Sequence, residues 1–413
     1  MNMPGRSDGK IRSYGRQSWR QRSHEQSHCQ GGGEIPLAPA AHPLASPDPP
    51  EIVTTGEGLA AMIDHLRSVP SFAFDSEFIG EASYQPRLCV VQVATTQRVY
   101  VVDALAALDL SPLWQLVVSA DSEKIVLAGQ QDFGPAVQST GQAPANIMDL
   151  QIAAGFIHAD YPLSLARLVE KYVGISLGKG LTFTHWDNRP LSDIQIRYAA
   201  DDVRYLPAAR DAIGRQLAQA GLTDWSRQEC AAALEHISLY QTPPENLYLR
   251  VRGRQRLGRR QLAILRELAI VRDQAARLED VPARTLLKDE ILIDMARRPA
   301  MNLVDLDSVR HLPRPVEYRY GRQFVEATAR GLAIPESQCP AKEPGEWPAL
   351  QERVDQVRAE IVRICQGRSI APALVAGRKD VVRACRCALD GLPMDEHRLC
   401  RGWRRELMGD LLA

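Results

Sequence analysis

The chain has 413 residues, 45% hydrophobic and 24% charged, with 50 basic and 50 acidic side chains. That length exceeds one ordinary domain of roughly 100–200 residues, and the composition excludes a collagen-like, disulfide-scaffold or wholly disordered protein. No run approaches the ~18 apolar residues of a membrane span, so a membrane partner is not expected.

The balanced total hides a split. Counting Lys and Arg against Asp and Glu, residues 1–50 sum to +2, 51–220 to −7, 221–245 to −3, 246–335 to +7 and 336–413 to +1. An acidic half followed by a basic module points to a polyanionic partner, and the acids point to something cationic among them. The eight cysteines form no CxxC, and no Cys/His spacing fits zinc. Scattered thiols suit a reducing compartment. The basic N-terminus lacks the apolar core of a secretory signal, so the expected location is cytoplasmic.

In chain order, residues 1–50 are rich in Arg, Ser, Gln, Gly and Pro and read as a disordered basic tail. Residues 51–220 read as an α/β domain. "FAFDSEF", "RLCVVQVAT", "RVYVVDA" and "EKIVLAG" are its strands, and "PLWQLVVSA", "QQDFGPAVQST", "MDLQIAAGFIH" and "SLARLVEKYVG" are helices. A further helix starts at a capping box, Ser192 with Gln195, and breaks near Pro207. Residues 221–245 read as a helical linker ending at "QTPPENLY". Residues 246–335 form an all-helical module, 336–346 a second linker, and 347–413 a last small helical unit.

Candidate chemistry begins in "FAFDSEF". Side chains at i and i+2 of a strand share a face, so Asp75 and Glu77 point one way and Phe74, Ser76 and Phe78 the other. Asp132 follows the strand "KIVLAG". Tyr198 and Asp202 lie four apart, on one helix face. Four carboxylates converging on one point repel unless cations hold them. Hard oxygen ligands select Mg²⁺ or Mn²⁺, and two such ions form the clamp for in-line phosphoryl transfer. The alternatives are ordinary: a solvent-facing strand edge for Asp75 and Glu77, a first-turn acid for Asp132, a surface acid for Asp202 with Asp201 as its decoy, and core packing for Tyr198.

These residues carry a resemblance. "FDSEF", "VLAGQQDFG" and "YAADDVRYL" resemble the three motifs of the DEDD exonucleases, and Tyr198 resembles the Tyr-bearing branch. With "LVEKYVGISLGKG" and "HWDNRPLS", the run is similar to the ribonuclease D family. The segment after 246 resembles its HRDC domain, and "IAPALVAGRKD…GWRRELMG" a second, weaker HRDC-like unit. Phe183 departs from the pattern, since many members carry a basic or polar residue there.

The resemblance implies a ribonuclease H-like mixed-sheet exonuclease domain followed by two small all-α HRDC-type domains. It implies a 3′→5′ exoribonuclease with two divalent ions held by Asp75, Glu77, Asp132 and Asp202, and with Tyr198 orienting a water. It also implies release of nucleoside 5′-monophosphates, trimming of tRNA precursor 3′ ends, and a monomer. Asp149 matches a family acid but reads better as a helix cap, and Gln92 reads as sheet structure. Lys179, Trp186 and Arg189 fall in the family's "K…W-x-x-RPL" stretch, with Arg189 a candidate phosphate contact or a structural ion pair. Phe78 is a candidate wedge against the terminal base or a core residue. Arg250, Arg252, Arg254, Arg256, Arg259 and Arg260, six Arg with no acid between them, are candidate phosphate contacts. The rival readings are a DNA exonuclease and a non-catalytic RNA-binding scaffold; the intact set of acids argues against the second.

Overall fold

The computed structural model describes residues 40–413, except residues 81, 179–183, 343, 344, 346, 396, 410 and 413. Most of the basic tail, Lys179 and Phe183 therefore lie outside the described residues. Six strands, β1 (Glu51–Val53), β2 (Ser71–Ile79), β3 (Arg87–Ala94), β4 (Val99–Asp103), β5 (Glu123–Val126) and β6 (Ile147–Asp149), form one sheet in the order β1-β4-β3-β2-β5-β6. The central β2–β3–β4 run is antiparallel, while β1 joins β4, and β5 and β6 extend beyond β2, in parallel. The sheet is therefore mixed, as expected. Its two outer strands of three residues each are too short to show a period and did not stand out in the sequence.

Both faces of the sheet are covered, which explains the nearly unbroken apolar text of β3 and β4. Phe72, Phe74, Val91, Val93 and Val102 pack under α1 (Gly56–Arg67), α2 (Ser111–Val118) and α3 (Gly134–Thr140). Ala73, Val90, Ala94 and Val101 face α4 (Leu150–Gly155), α5 (Leu165–Val173), α6 (Asp193–Arg204), α7 (Leu206–Ala220) and α8 (Thr223–Leu234). The capping box at Ser192 and Gln195 is present at the start of α6. The break falls at Tyr205, so that Pro207 sits in the first turn of α7, where its missing N–H is not needed.

Two boundaries move. Residues 40–50 do not share the disorder expected of the tail. Ala45 is buried against Val169, Ile175 and Tyr205, Arg204 donates to the carbonyls of Ser46 and Asp48, and the Tyr205 hydroxyl donates to the Ala40 carbonyl at 3.2 Å. Residues 221–245 are not a mere linker either: within them, α8 packs on β6 and α4, and its Cys230 lies in the core beneath the sheet.

The module at 246–335 comprises α9 (Arg259–Leu278), α10 (Ala283–Leu286), α11 (Asp289–Arg297), α12 (Leu303–Asp307) and α13 (Arg314–Ala333) around its own core of Leu265, Leu268, Leu292, Met295 and Phe324. α9 and α13 approach so closely that a Cβ on Gly331 would lie 2.5 Å from the Ile264 Cα.

The last helices, α14 (Pro348–Gln366), α15 (Pro372–Val375), α16 (Arg378–Leu389) and α17 (Gly402–Met408), have no such independence. Leu350, Val354, Val357 and Trp403 join the same core as the sheet and α4. Phe156 and Trp403 meet edge to face at 4.8 Å. Below them the buried Glu229 of α8 accepts from Arg404, Arg398 and the Trp403 indole. Read from sequence as a separate small domain, residues 347–413 instead complete the core of the α/β domain.

Candidate active site

β2 lies in the middle of the sheet and carries Asp75 and Glu77 on the face covered by α6. That helix brings Asp202, and the carboxylate oxygens of Asp75, Glu77 and Asp202 lie within 4.8 Å of one another. Asp132 reaches the same place from the other face. It stands in the turn between β5 and α3, two residues before Gly134, with its N–H on the Gly129 carbonyl at 3.2 Å. Ser76, on the opposite face of β2 from Asp75, donates to Asp132 Oδ1 at 2.5 Å. Phe133 anchors this turn in the core below. Ser76 is the contact missed in the sequence, because strand alternation turns it away from the acids and nothing local reveals what it meets.

The electrostatics match a cluster of unneutralised acids. Burial, reinforced by Asp132, Asp202 and Glu77, pushes the Asp75 carboxyl well above the usual range. The charges acting on it most are all negative. Burial and then Asp132 raise Glu77 to about 7; burial, Glu77 and Asp201 raise Asp202 to about 8. Asp132 rises to about 6 through burial, against the opposing hydrogen bond from Ser76. Burial, then Asp202, Glu77 and Asp75, push the Tyr198 phenol up as well. It remains a protonated donor at neutral pH. Its ring leans on Trp186 at 6.2 Å.

The residues flanking this centre divide into those that reach it and those that support it. Asp201 faces away, paired with Arg197 at 2.6 Å and Arg204 at 3.3 Å. Asp149 caps α4 through the N–H groups of Gln151 and Ile152 and also holds the Ala128 N–H at 3.2 Å. Ala128 is thereby fixed at φ 55° in the loop that leads to Asp132. Gln92 is fully buried opposite Asp75 in the β2–β3 register. Arg189 does not reach out for phosphate. It is bidentate to Asp103, at 2.6 and 2.7 Å, and also donates to the carbonyls of Trp186, Asn188 and Cys89. These bonds hold the loop that supports Trp186.

Phe78 lies at the mouth. Glu77 pairs with Val90 and Phe78 with Leu88, so Cys89 is an extra residue on β3. Such a bulge re-aims the strand beside a site. Phe78 is half-buried and lines a cleft of about 520 Å³ together with Asp75, Glu77, Asp132, Gln130 and Gln131.

The Arg cluster also splits. Arg259 donates to the carbonyls of Glu336 and Cys339. Arg260 donates to the carbonyls of Gly331, Leu332 and Ile334 and pairs with Glu336. Arg260 ties down the end of α13, where the carbonyls of a helix C-terminus need donors, and Arg259 holds the turn that follows it. Arg250, Arg252 and Arg256 are exposed.

The chain's likenesses agree with this geometry. A family described as 3'-5' exonuclease matches residues 50–218, and the HRDC domain matches residues 261–328. The ribonuclease D of Gluconacetobacter diazotrophicus is 33% identical, over 88% of this chain and 92% of that protein. The ribonuclease D of Acidiphilium cryptum is 32% identical, over 87% and 91%. The crystal structure of Escherichia coli RNase D, described as an exoribonuclease involved in structured RNA processing, matches with a TM-score of 0.77 at 26% identity, over 88% of this chain and 97% of that one. The mixed-sheet nuclease, the helical HRDC module and relatives matched over nearly their whole length place this chain in the ribonuclease D family, as a 3′–5′ exoribonuclease.

Proposed function

We propose that this enzyme hydrolyses the 3′-terminal phosphodiester of RNA with two divalent cations, Mg²⁺ or Mn²⁺, and releases nucleoside 5′-monophosphates. The observation that carries the reading is the convergence of Asp75, Glu77 and Asp202 within 4.8 Å, with no positive charge among those acting most on Asp75. Hard, closely spaced carboxylate oxygens fit these ions and not softer metals. Asp75, Glu77 and Asp202 would hold one ion; Asp75, with Asp132 behind it, would hold the other. When bound, the ions supply a more acidic water and stabilise the leaving oxygen.

The chain's own residues do the rest. Tyr198, kept protonated by burial and then by its acidic neighbours, donates its phenolic hydrogen bond to position the attacking water. Ser76 fixes the rotamer of Asp132, and Trp186 fixes the ring of Tyr198. Phe78 offers an apolar face to the terminal nucleotide at the mouth. No covalent intermediate is required, so no nucleophilic Ser or Cys is needed.

The substrate we propose is the 3′ end of tRNA precursors, acted on by a monomer in the cytoplasm. The support is the family's relatives, the Escherichia coli enzyme's description as acting on structured RNA, and the absence among the described residues of any helix long and apolar enough to cross a membrane. The test is a timed digestion of a 3′-extended tRNA precursor with Mg²⁺, Mn²⁺ or EDTA. Stepwise shortening with mononucleotide products, abolished by EDTA, is expected. Oligonucleotide products, or shortening that continues in EDTA, would overturn the reading. Faster digestion of a matched DNA strand would favour the DNA exonuclease instead.

A further inference from the structure

The acids account for part of the cleft's lining. The rest includes the loop after β5, whose built conformation places Asp132 and also two side chains that the hydrolytic chemistry does not use. Asp149 holds the N–H of Ala128, which is fixed at φ 55°. Gly129 follows where a Cβ would lie 2.6 Å from the Val126 side chain. The Asp132 and Gly134 N–H groups close the loop onto the Gly129 and Gln131 carbonyls at 3.2 and 3.1 Å. What this loop presents to the cleft is a pair of adjacent carboxamides, Gln130 and Gln131, both exposed and both lining it. Neither carboxamide has a hydrogen-bond partner among the described residues.

Among the side chains lining the cleft, these two are the neutral hydrogen-bonding groups left to meet a ligand, because the Ser76 hydroxyl is committed to Asp132. With the scissile phosphate at the acids, a 3′-terminal nucleoside would lie within one nucleotide's length of them, in reach of this loop, which lines the same cleft. A glutamine amide is both donor and acceptor. The terminal ribose offers two adjacent hydroxyls that are also both, and its 2′-OH is the group by which a protein tells RNA from DNA. An enzyme that shortens a strand of any sequence gains nothing by reading base edges here.

We propose that Gln130 and Gln131 recognise the ribose hydroxyls of the 3′-terminal nucleotide and set the enzyme's preference for RNA over DNA. The assignment rests on the exoribonuclease reading of the site and names the specificity residues within it. A site that hydrogen-bonds a hydroxyl rejects the analogue lacking it.

The test uses the full-length enzyme with Mg²⁺ and three RNA oligonucleotides identical except for a 3′-terminal ribose, 2′-deoxyribose or 2′-O-methylribose. Single-turnover kcat/KM is compared for the native protein, Gln130→Ala, Gln131→Ala and the double variant, with thermal melts to establish folding. The native enzyme is expected to prefer the terminal ribose by about tenfold or more, the equivalent of ~1.4 kcal/mol. The double variant is expected to bring that ratio to within about threefold. An unchanged ratio, or a parallel fall for all three oligonucleotides, would overturn the assignment. So would a ratio that follows the identity of the terminal base. Those outcomes leave the exoribonuclease reading standing; a native enzyme inert toward all three would instead overturn that reading itself.

Discussion

Asp201 and Asp202 are neighbours in sequence, yet one is spent on Arg197 and Arg204 while the other joins Asp75 and Glu77. The four-residue spacing from Tyr198 was enough to separate them, because helix periodicity is a local property. The same holds for Asp75 and Glu77, which strand alternation alone puts on one face. Ser76 and Arg189 were not legible in this way, since their partners, Asp132 and Asp103, come from other strands and turns. Two predictions belong to these residues. Asp75→Asn is expected to lower the single-turnover rate by ~10³-fold or more, about 4 kcal/mol of barrier, with the melting temperature of the fold retained. A residual rate within tenfold of the native enzyme would remove Asp75 from the centre of the site. The second concerns pH. Glu77 and Asp202, at about 7 and about 8 in the folded protein, hold protons that the unfolded chain has already lost. Their contribution is therefore full below the ordinary carboxylate range and is lost as pH rises through about 7–8. In EDTA the melting temperature is expected to fall by several degrees between about pH 5.5 and about pH 8.5. Divalent ion, which binds the deprotonated acids, is expected to restore it. Asp202→Asn should flatten the EDTA profile; an equally steep fall in that variant would assign the pH dependence elsewhere.

At the scale of elements, α6 does two jobs with two faces. One presents Tyr198 and Asp202 to the sheet, and the other, through Arg204, secures residues 46–48. The capped start of α6 was legible because Ser192 and Gln195 mark it, whereas the equally long α1 went unread. The three-residue strands β1 and β6 were not legible, and neither was the docking of α17 onto α8. That joint depends on side chains 175 residues apart meeting in a buried ion pair. Glu229 and Arg404 are 4% and 3% exposed, so neither can be rescued by water. Removing one partner of such a pair costs roughly 3–5 kcal/mol, because the other charge stays buried and uncompensated. Glu229→Ala is accordingly expected to lower the unfolding free energy by that amount in chemical denaturation, while Glu360→Ala, in an exposed pair with Arg363, leaves it nearly unchanged. Equal, small losses in the two variants would mean that the last helices are held by their apolar contacts alone.

For the whole molecule, the charge split of −7 over 51–220 against +7 over 246–335 was legible, but the route by which the basic module acts was not. The module has its own core, and one of its contacts with the nuclease is a polar clasp at the loop following β2. There the Tyr84 hydroxyl donates to Asp273 at 2.7 Å and its N–H to Asp280 at 3.1 Å, while Arg277 covers its ring. A net −7 over 51–220 would repel RNA, so the module's exposed Arg side chains are the source of attraction we propose. Truncation cannot test this cleanly. A chain cut after Glu245 would also lose α14–α17, which complete the nuclease core. Charge reversal separates the two roles. Replacing the exposed Arg250, Arg252 and Arg256 by Glu is expected to weaken binding of a tRNA precursor and flatten its salt dependence, by about 0.7 in log–log slope for each phosphate no longer neutralised on a single strand. The melting temperature should hold, because among the described residues none of the three ties elements together through its guanidinium as Arg259 and Arg260 do. Reversal at Arg259 and Arg260 is expected to do the opposite, lowering the melting temperature by stripping donors from the carbonyls at the end of α13 and of the turn that follows it, with little change in slope. An unchanged salt slope after the triple reversal would show that bound RNA does not cross this edge of the module, and the attraction would then have to be sought on another of its faces.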